Sequence, residues 1–202
     1  MSEEESLRAV DYLVRDIPLV QAQKMVREYH YSRGGANTAT FRHGLFHKDY
    51  PEELLGVAWW IPPTKSAALA THPSNWQGVL ALSRLVVVPK VPKNGASYLL
   101  GQSERMIRKH PRWECLVTYA DTWQGHTGAI YKATNWTYIG ETSPESVWVD
   151  STGRMVARKA GPKTRTQAEM LALGYTKVGR FSKHKYAKWI TSNKPPTINP
   201  SQ

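Results

Sequence analysis

Five side chains in this sequence are of the types that move protons or steady a developing charge: His30, Tyr31, Ser83, Asp121 and Tyr131. Histidine titrates near neutrality, so it can take or return a proton at physiological pH. His30 follows an apolar helical stripe and precedes Gly34-Gly35, a place from which a side chain can face a cleft. Tyr31 beside it offers a hydroxyl donor or a ring for stacking. Asp121 closes the run Leu116-Val117-Thr118-Tyr119-Ala120, and open sheets gather their sites at such strand ends. It could act as a base, orient His30, or simply cap the next loop. Ser83 could donate a hydrogen bond to a carbonyl, or pack within a sheet. Tyr131 could be an acid or a core tyrosine. His30, Asp121 and His126 also form a histidine and carboxylate set of the kind that suits iron.

A second kind of chemistry is written between Leu85 and Ser97. The β-branched run Leu85-Val86-Val87-Val88 ends at Pro89, and Lys93-Asn94-Gly95-Ala96-Ser97 leads into a helical pattern. Strand, tight turn and helix in that order present free backbone N–H groups and a positive dipole end to an anion. The segment is a candidate phosphate or pyrophosphate cradle, with Gly95 allowing close backbone approach. An ordinary strand–helix connection with a cap has the same pattern.

The elements that must position these residues follow from periodicity. Ala22, Met25 and Val26 predict a helix from about Ile17 to Tyr29, capped by Asp16 and stopped near Ser32-Arg33-Gly34-Gly35. Thr38–Phe46 and Leu54–Ile61 read as an antiparallel hairpin about the turn at Tyr50-Pro51. Thr64–Gly78 reads as a long loop. Val79–Val88 and Cys115–Ala120 read as strands, and Ser97–Lys109 as a helix that buries Leu99, Leu100, Met106 and Ile107. A short helix over Thr127–Thr134 and a strand over Trp136–Glu141 follow. Thr166–Leu173 reads as a helix, and Tyr175–Trp189 as a final strand or hairpin. The alternation predicts an α/β or α+β layer domain. Adjacent Trp59 and Trp60 point to opposite faces, so one could stack on a base unless the sheet is covered on both sides. Trp76 and Trp123 extend that aromatic set.

Composition narrows the partners. The chain has 202 residues, 41% apolar, with eight Trp and ten Tyr, enough to bury a core. A single cysteine, Cys115, excludes an internal disulfide. No run approaches the ~20 apolar residues of a membrane span, so no membrane partner is expected. The acidic start Met1-Ser2-Glu3-Glu4-Glu5 has no hydrophobic signal region, which points to the cytoplasm. The net charge of +11 favours nucleic acid. Most of the excess lies between Ser151 and Ile190, where ten cations face one acid, Glu169. Arg154, Arg158, Lys159, Lys163, Arg165, Lys183 and Lys185 are candidate contacts to DNA phosphates. The organisation expected is one domain over 1–190, with 151–190 a basic extension, and a loose tail over 191–202.

The segment Gly125-His126-Thr127-Gly128-Ala129-Ile130-Tyr131, through Asn135-Trp136, resembles the second half of the GCN5-related N-acetyltransferase (GNAT) core. That resemblance implies a mixed central sheet flanked by helices and an acyl-CoA donor such as acetyl-CoA. It places Tyr131 at a position often occupied by the general acid. It also assigns Val86 and Val88 to the strand that pairs with the donor arm, and Lys93, Asn94, Gly95, Ala96 and Ser97 to a reduced pyrophosphate loop. A closer resemblance is to the Mom-like adenine modification proteins of bacteriophages. It rests on Tyr29-His30-Tyr31-Ser32, Leu82-Ser83-Arg84-Leu85-Val86-Val87, Asn94-Gly95-Ala96-Ser97 and Tyr119–Trp136, the last being the most specific. It implies conversion of adenine in double-stranded DNA to an N6-carbamoylmethyl (acetamido) form in the host bacterial cytoplasm, blocking restriction. It also implies a small-molecule donor, and the sequence leaves a homodimer open. Two rivals share these features: a conventional GNAT acyltransferase acting on a protein or small amine, and a non-catalytic DNA-binding protein.

Overall fold

The computed structural model describes residues 6–31, 38–160 and 163–191. After a short 3-10 turn, the chain runs β1 (Tyr12–Asp16), α1 (Leu19–Tyr29), β2 (Phe41–His47), β3 (Gly56–Ile61), α2 (Lys65–Leu69), β4 (Val79–Val87), α3 (Gly95–Ile107) and β5 (Cys115–Asp121). Then come α4 (Ala129–Ala133), β6 (Thr137–Glu141), β7 (Glu145–Val149), β8 (Met155–Val156), β9 (Lys159–Ala160), β10 (Lys163–Thr164), α5 (Gln167–Ala172), β11 (Thr176–Phe181) and β12 (Lys183–Trp189).

Seven strands form the central sheet in the order β1-β2-β3-β4-β5-β12-β6. β4 and β5 are parallel, while the other neighbours are antiparallel. The fold class is therefore mixed α/β, as the alternating pattern predicts. The parallel pair is short, running only from Val79 opposite Cys115 to Ala81 opposite Val117. Directly after it β4 carries a bulge: Trp60 lies opposite Leu82 and Trp59 opposite Arg84, leaving Ser83 as the extra residue. A bulge bends its strand. β4 stays with β3 to Val87 and parts from β5, which opens a cleft through the sheet.

Helices cover both faces. On one, α3 buries Leu99, Leu100, Ser103, Glu104 and Ile107. Its Ser103 Oγ accepts from Trp60 Nε1 at 2.7 Å and lies 2.6 Å from His43 Nδ1. Since the indole can only donate, the serine hydroxyl is free to donate to His43. On the other face lie α1, which packs Ala22, Met25 and Val26 into the core, and α2, whose Ala68 meets Val79, Ala81, Cys115 and Val117. Trp59 and Trp60 are both fully buried. The sheet is covered on both sides, so neither is available to stack on a base. Cys115 is a core residue too, and burial pushes its thiol up to about 12.

Several local expectations are corrected. Residues 12–16 form an edge strand rather than a lead-in to the helix, and Asp16 belongs to it; Pro18 is the residue before the first turn of α1. Met106 is only partly buried, and the polar Ser103 and Glu104 take the inner face instead. Thr64–Gly78 is not a loop. Thr64 Oγ1 accepts from the Ala67 N–H to start α2, and Pro73–Gly78 forms a 3-10 turn. β11 and β12 are not partners. β11 joins β7 and β8 in a separate three-stranded sheet, whereas β12 inserts between β5 and β6. Part of the expected basic extension is thus a central strand. The helix stop at Gly34-Gly35 and the tail beyond 191 fall outside the described residues.

Candidate active site and nucleic-acid surface

α1 ends at Tyr29, one turn before the glycines. His30 has extended backbone (φ −90°, ψ 135°), and its N–H still donates to Val26 O at 3.0 Å. This break turns His30 and Tyr31 toward the opened end of the β4–β5 cleft. Their rings lie 4.4 Å apart, and Tyr31 meets the exposed ring of His126 edge-on at 5.4 Å. His30 is 9% exposed. Burial, with the nearby Arg84 and His126 charges, pushes it down to about 4, so its imidazole is neutral at pH 7. Tyr31 keeps 38% of its surface in solvent, yet desolvation in the cleft and the carboxylate of Asp121 push it up to about 12. Asp121 is buried at the end of β5, where its Oδ1 accepts from the Trp123 N–H at 3.2 Å. That bond is the capping role; the same carboxylate also faces Tyr31.

Arg84 completes this cluster, and sequence reasoning missed it. Its Nη1 donates to Ser83 O at 2.6 Å and to Ser83 Oγ at 3.1 Å. Partial burial lowers its pKa, while the Tyr31 hydroxyl opposes that shift. The available signal was a guanidinium inside the otherwise apolar Val79–Val87. Ser83 is thus the bulge residue beside Arg84 rather than a packed sheet serine.

Tyr131 approaches from the opposite face. Burial raises its pKa, and its hydroxyl interacts with Thr118, whose Oγ1 donates to Leu82 O at 3.3 Å. Tyr131 also lines a cavity of about 380 Å³ in the cleft, together with Leu85, Val86, Ala96, Gly128 and Ala129. Gly128 is required there. Its φ is +72°, and a Cβ would come within 2.3 Å of the Tyr186 ring. Of the expected donor-side residues, Val86 and Ala96 reach this cavity. Val88 does not: its N–H donates to Leu55 O at 2.9 Å, outside the cleft. Asn94 caps α3 in the left-handed conformation (φ 75°), and Ser97 Oγ donates to its carbonyl at 2.9 Å. The Lys93 carbonyl accepts from the Leu7 N–H at 2.9 Å. Gly95 admits Val91 rather than a ligand, since a Cβ would sit 2.0 Å from Val91 Cγ1.

Among the described residues no group of three or more His, Cys, Asp or Glu side chains is arranged to hold a metal ion. His30, Asp121 and His126 surround Tyr31 but do not converge on a shared point, so the expected iron set does not fit.

The basic residues divide into groups. Arg154 shares a surface recess with Tyr31 and Trp123. Arg158, Lys159 and Lys183 line a larger cavity of about 760 Å³ that also reaches Asp121. Lys163 is paired with Glu169 at 2.5 Å. The Arg165 carbonyl accepts both Nε and Nη2 of Arg158, at 3.0 and 2.7 Å. Lys185 does not belong with them. It reaches Ala70 O at 3.4 Å, and burial lowers its pKa, with Cys115 opposing the shift. Of the tryptophan set, Trp76 packs with the α2 side of the core, under the ammonium of Lys65 at 5.3 Å.

The family model described as the Mom protein family matches residues 11–194. The chain belongs to the Mom family. A curated relative, the methylcarbamoylase mom of Escherichia phage Mu, is 27% identical over 136 residues, covering 65% of this chain and 54% of that protein. The match thus spans about half the length of the Mu protein. Among solved structures, spermidine N-acetyltransferase from Vibrio cholerae in complex with CoA and spermine has a TM-score of 0.53 at 7% identity, over 89% of this chain and 96% of that one. Arabidopsis thaliana NAA60 in complex with acetyl-CoA has a TM-score of 0.54 at 10% identity, over 88% and 99%. An N-acetyltransferase from Staphylococcus aureus Mu50 has 0.52 at 11%, over 89% and 99%. These likenesses establish the GNAT fold for this Mom-family chain, with the parted β4–β5 pair at its centre.

Proposed function

We propose that the chain modifies adenine in DNA at N6, adding a carbamoylmethyl (acetamido) group that hides the base from host restriction enzymes. The observation that carries this reading is the two-sided cleft between β4 and β5. One mouth holds the cavity bounded by Val86, Ala96, Gly128 and Tyr131; the other holds His30, Tyr31, Arg84 and Asp121 beside a basic surface.

The first mouth suits an acyl-CoA donor. Among the described residues β4 has no strand partner on its cleft side beyond Ala81; Thr118 Oγ1 donates to Leu82 O and Arg84 to Ser83 O, which leaves the main chain at Leu85 and Val86, on the cavity wall, for an extended ligand. Ala96, in the first turn of α3, lines the same cavity, and the unbonded amides of a first turn favour phosphate. Val86, Ala96, Gly128 and Ala129 would hold the group, which would supply the two carbons of the adduct; the amide nitrogen, and the two-electron oxidant needed to join the methyl carbon to N6, would come from separate co-reactants.

The second mouth handles the acceptor. Adenine N6 is a weak nucleophile because its lone pair is delocalised into the ring, so it needs a proton acceptor and a fixed orientation. Neutral His30 can accept a proton, and the Asp121 carboxylate can accept a hydrogen bond from an amine. Tyr31 keeps its proton and offers a donor and a stacking face, with Trp123 and Arg154 beside it. A base in duplex DNA must leave the stack to reach them. The cations near Asp121 would repel a polyamine acceptor, which favours DNA over a small-amine substrate. Among the described residues no helix is long and apolar enough to cross a membrane.

Nucleoside mass spectrometry on DNA from cells expressing the chain tests this. The expected result is a deoxyadenosine heavier by one carbamoylmethyl group, abolished by His30→Ala and Asp121→Ala in folded protein. Unmodified adenine in the presence of folded wild-type protein would sink the proposal.

A further inference from the structure

The larger cavity lies between the end of β5 and the three-stranded sheet of β7, β8 and β11. Asp121, Trp148, Arg158, Lys177, Arg180 and Lys183 are on its wall. Register explains the grouping. Trp148 stands opposite Lys177, Ser146 opposite Arg180, and Lys183 opposite Asp121. Counting Lys159, five cations line the cavity against two acids, Asp121 and Glu145. Two of the cations are held in place: Arg158 by the Arg165 carbonyl, and Arg180 Nη2 by Pro144 O at 2.8 Å. A guanidinium carries five N–H donors, so each keeps donors for a ligand.

Trp148 supplies an independent sign. It is 1% exposed, and its Nε1–H has no hydrogen-bond partner among the described residues. Leaving a buried donor unmet is costly. An indole N–H can only donate, so whatever meets it must be an acceptor. A cavity with excess positive charge, anchored guanidinium groups and an unmet buried donor selects an anionic ligand rich in acceptor oxygens.

We propose that this cavity grips the sugar–phosphate backbone at the nucleotide whose base is presented to Asp121, with Lys177, Arg180 and Lys183 on phosphate and Trp148 Nε1–H donating to an acceptor of that nucleotide. The assignment rests on the DNA-modifying reading above and goes beyond it in locating the strand. Lys177, Arg180 and Trp148 sit on a sheet remote in sequence from the donor cavity, so backbone grip and donor binding are separable.

The test is binding of a fluorescein-labelled DNA duplex across a salt series, with CoA binding measured in parallel. Each phosphate contact adds about 0.9 to the slope of log affinity against log salt. Lys177→Gln/Lys183→Gln should lower the slope by about 2 and weaken binding at least tenfold for every duplex sequence, with CoA affinity unchanged. Trp148→Phe keeps an aromatic side chain and removes the donor; in protein that retains a cooperative thermal transition it should weaken DNA binding with the slope unchanged. Arg108→Gln/Lys109→Gln, a charge-matched pair at the far end of α3, should leave the slope as it was. If wild type binds DNA and modifies adenine while the cavity variants keep the wild-type slope, the assignment fails and the DNA-modifying reading stands. If wild type neither binds nor modifies DNA, both fail.

Discussion

Two buried histidines govern how this protein responds to acid. His43 is 1% exposed, and burial pushes it down to about 4 despite Asp16 at 3.5 Å; His30 is pushed to a similar value. Between the ordinary value near 6.5 and 4, the unfolded chain binds protons that the folded chain refuses. Stability from these groups is therefore complete above pH 6.5 and is lost as pH falls toward 4, by on the order of 3 kcal/mol for each. Urea midpoints measured across this range should fall with acidification, and His43→Gln should remove roughly half of the drop. The same value of His30 shapes activity. A base that is neutral above about pH 4 should give an acidic limb of the rate profile that stays flat to about pH 5. An acidic limb near 6.5 would show that His30 titrates as an exposed histidine and would contradict its buried placement.

At the scale of elements, α3, α4 and β12 are locked by one buried ionic knot. Glu104 of α3 accepts from Lys188 of β12 at 2.5 Å and from Trp136 Nε1 at 2.7 Å, and Lys188 also donates to Thr134 O at 2.7 Å. Removing one partner strands the other charge in the core. Glu104→Ala should cost about 3–5 kcal/mol by denaturant unfolding, and Glu104→Gln/Lys188→Met should recover much of it. Because Tyr131 and the Gly128 turn sit on α4, Glu104→Ala should also weaken CoA binding. The knot was not legible in sequence. Glu104 reads as the polar side of an amphipathic helix, and only the insertion of β12 beside β5 brings Lys188 to it. Boundaries of strongly patterned elements were legible: β4, β5, α3 and the β2–β3 hairpin lie where alternation and helical spacing put them. The 12–16 strand and α2 were not, since five-residue elements carry too little periodicity to stand out from their neighbours.

For the whole molecule, the basic C-terminal segment is both surface and scaffold. Lys183 reaches the cavity beside Asp121, whereas Tyr186 and Ala187 of the same strand are fully buried between β5 and β6. A chain ending at residue 182 should therefore fail to fold, with no cooperative thermal transition by circular dichroism. A folded but DNA-deficient product would mean that the segment is an appendage after all.

The sequence by itself determined the layered α/β class, the donor-side strand and helix, the family, and the candidacy of His30, Tyr31 and Asp121. These rest on local periodicity and on residue types at short spacing, both of which survive without a third dimension. Only the tertiary structure decided that Arg84 joins those three, that Val88 and Lys185 face elsewhere, that His30, Asp121 and His126 make no metal set, and that Trp148 meets Lys177 and Arg180 at a cavity. Each depends on a bulge, a strand insertion or a cross-sheet register, and these join residues tens of positions apart.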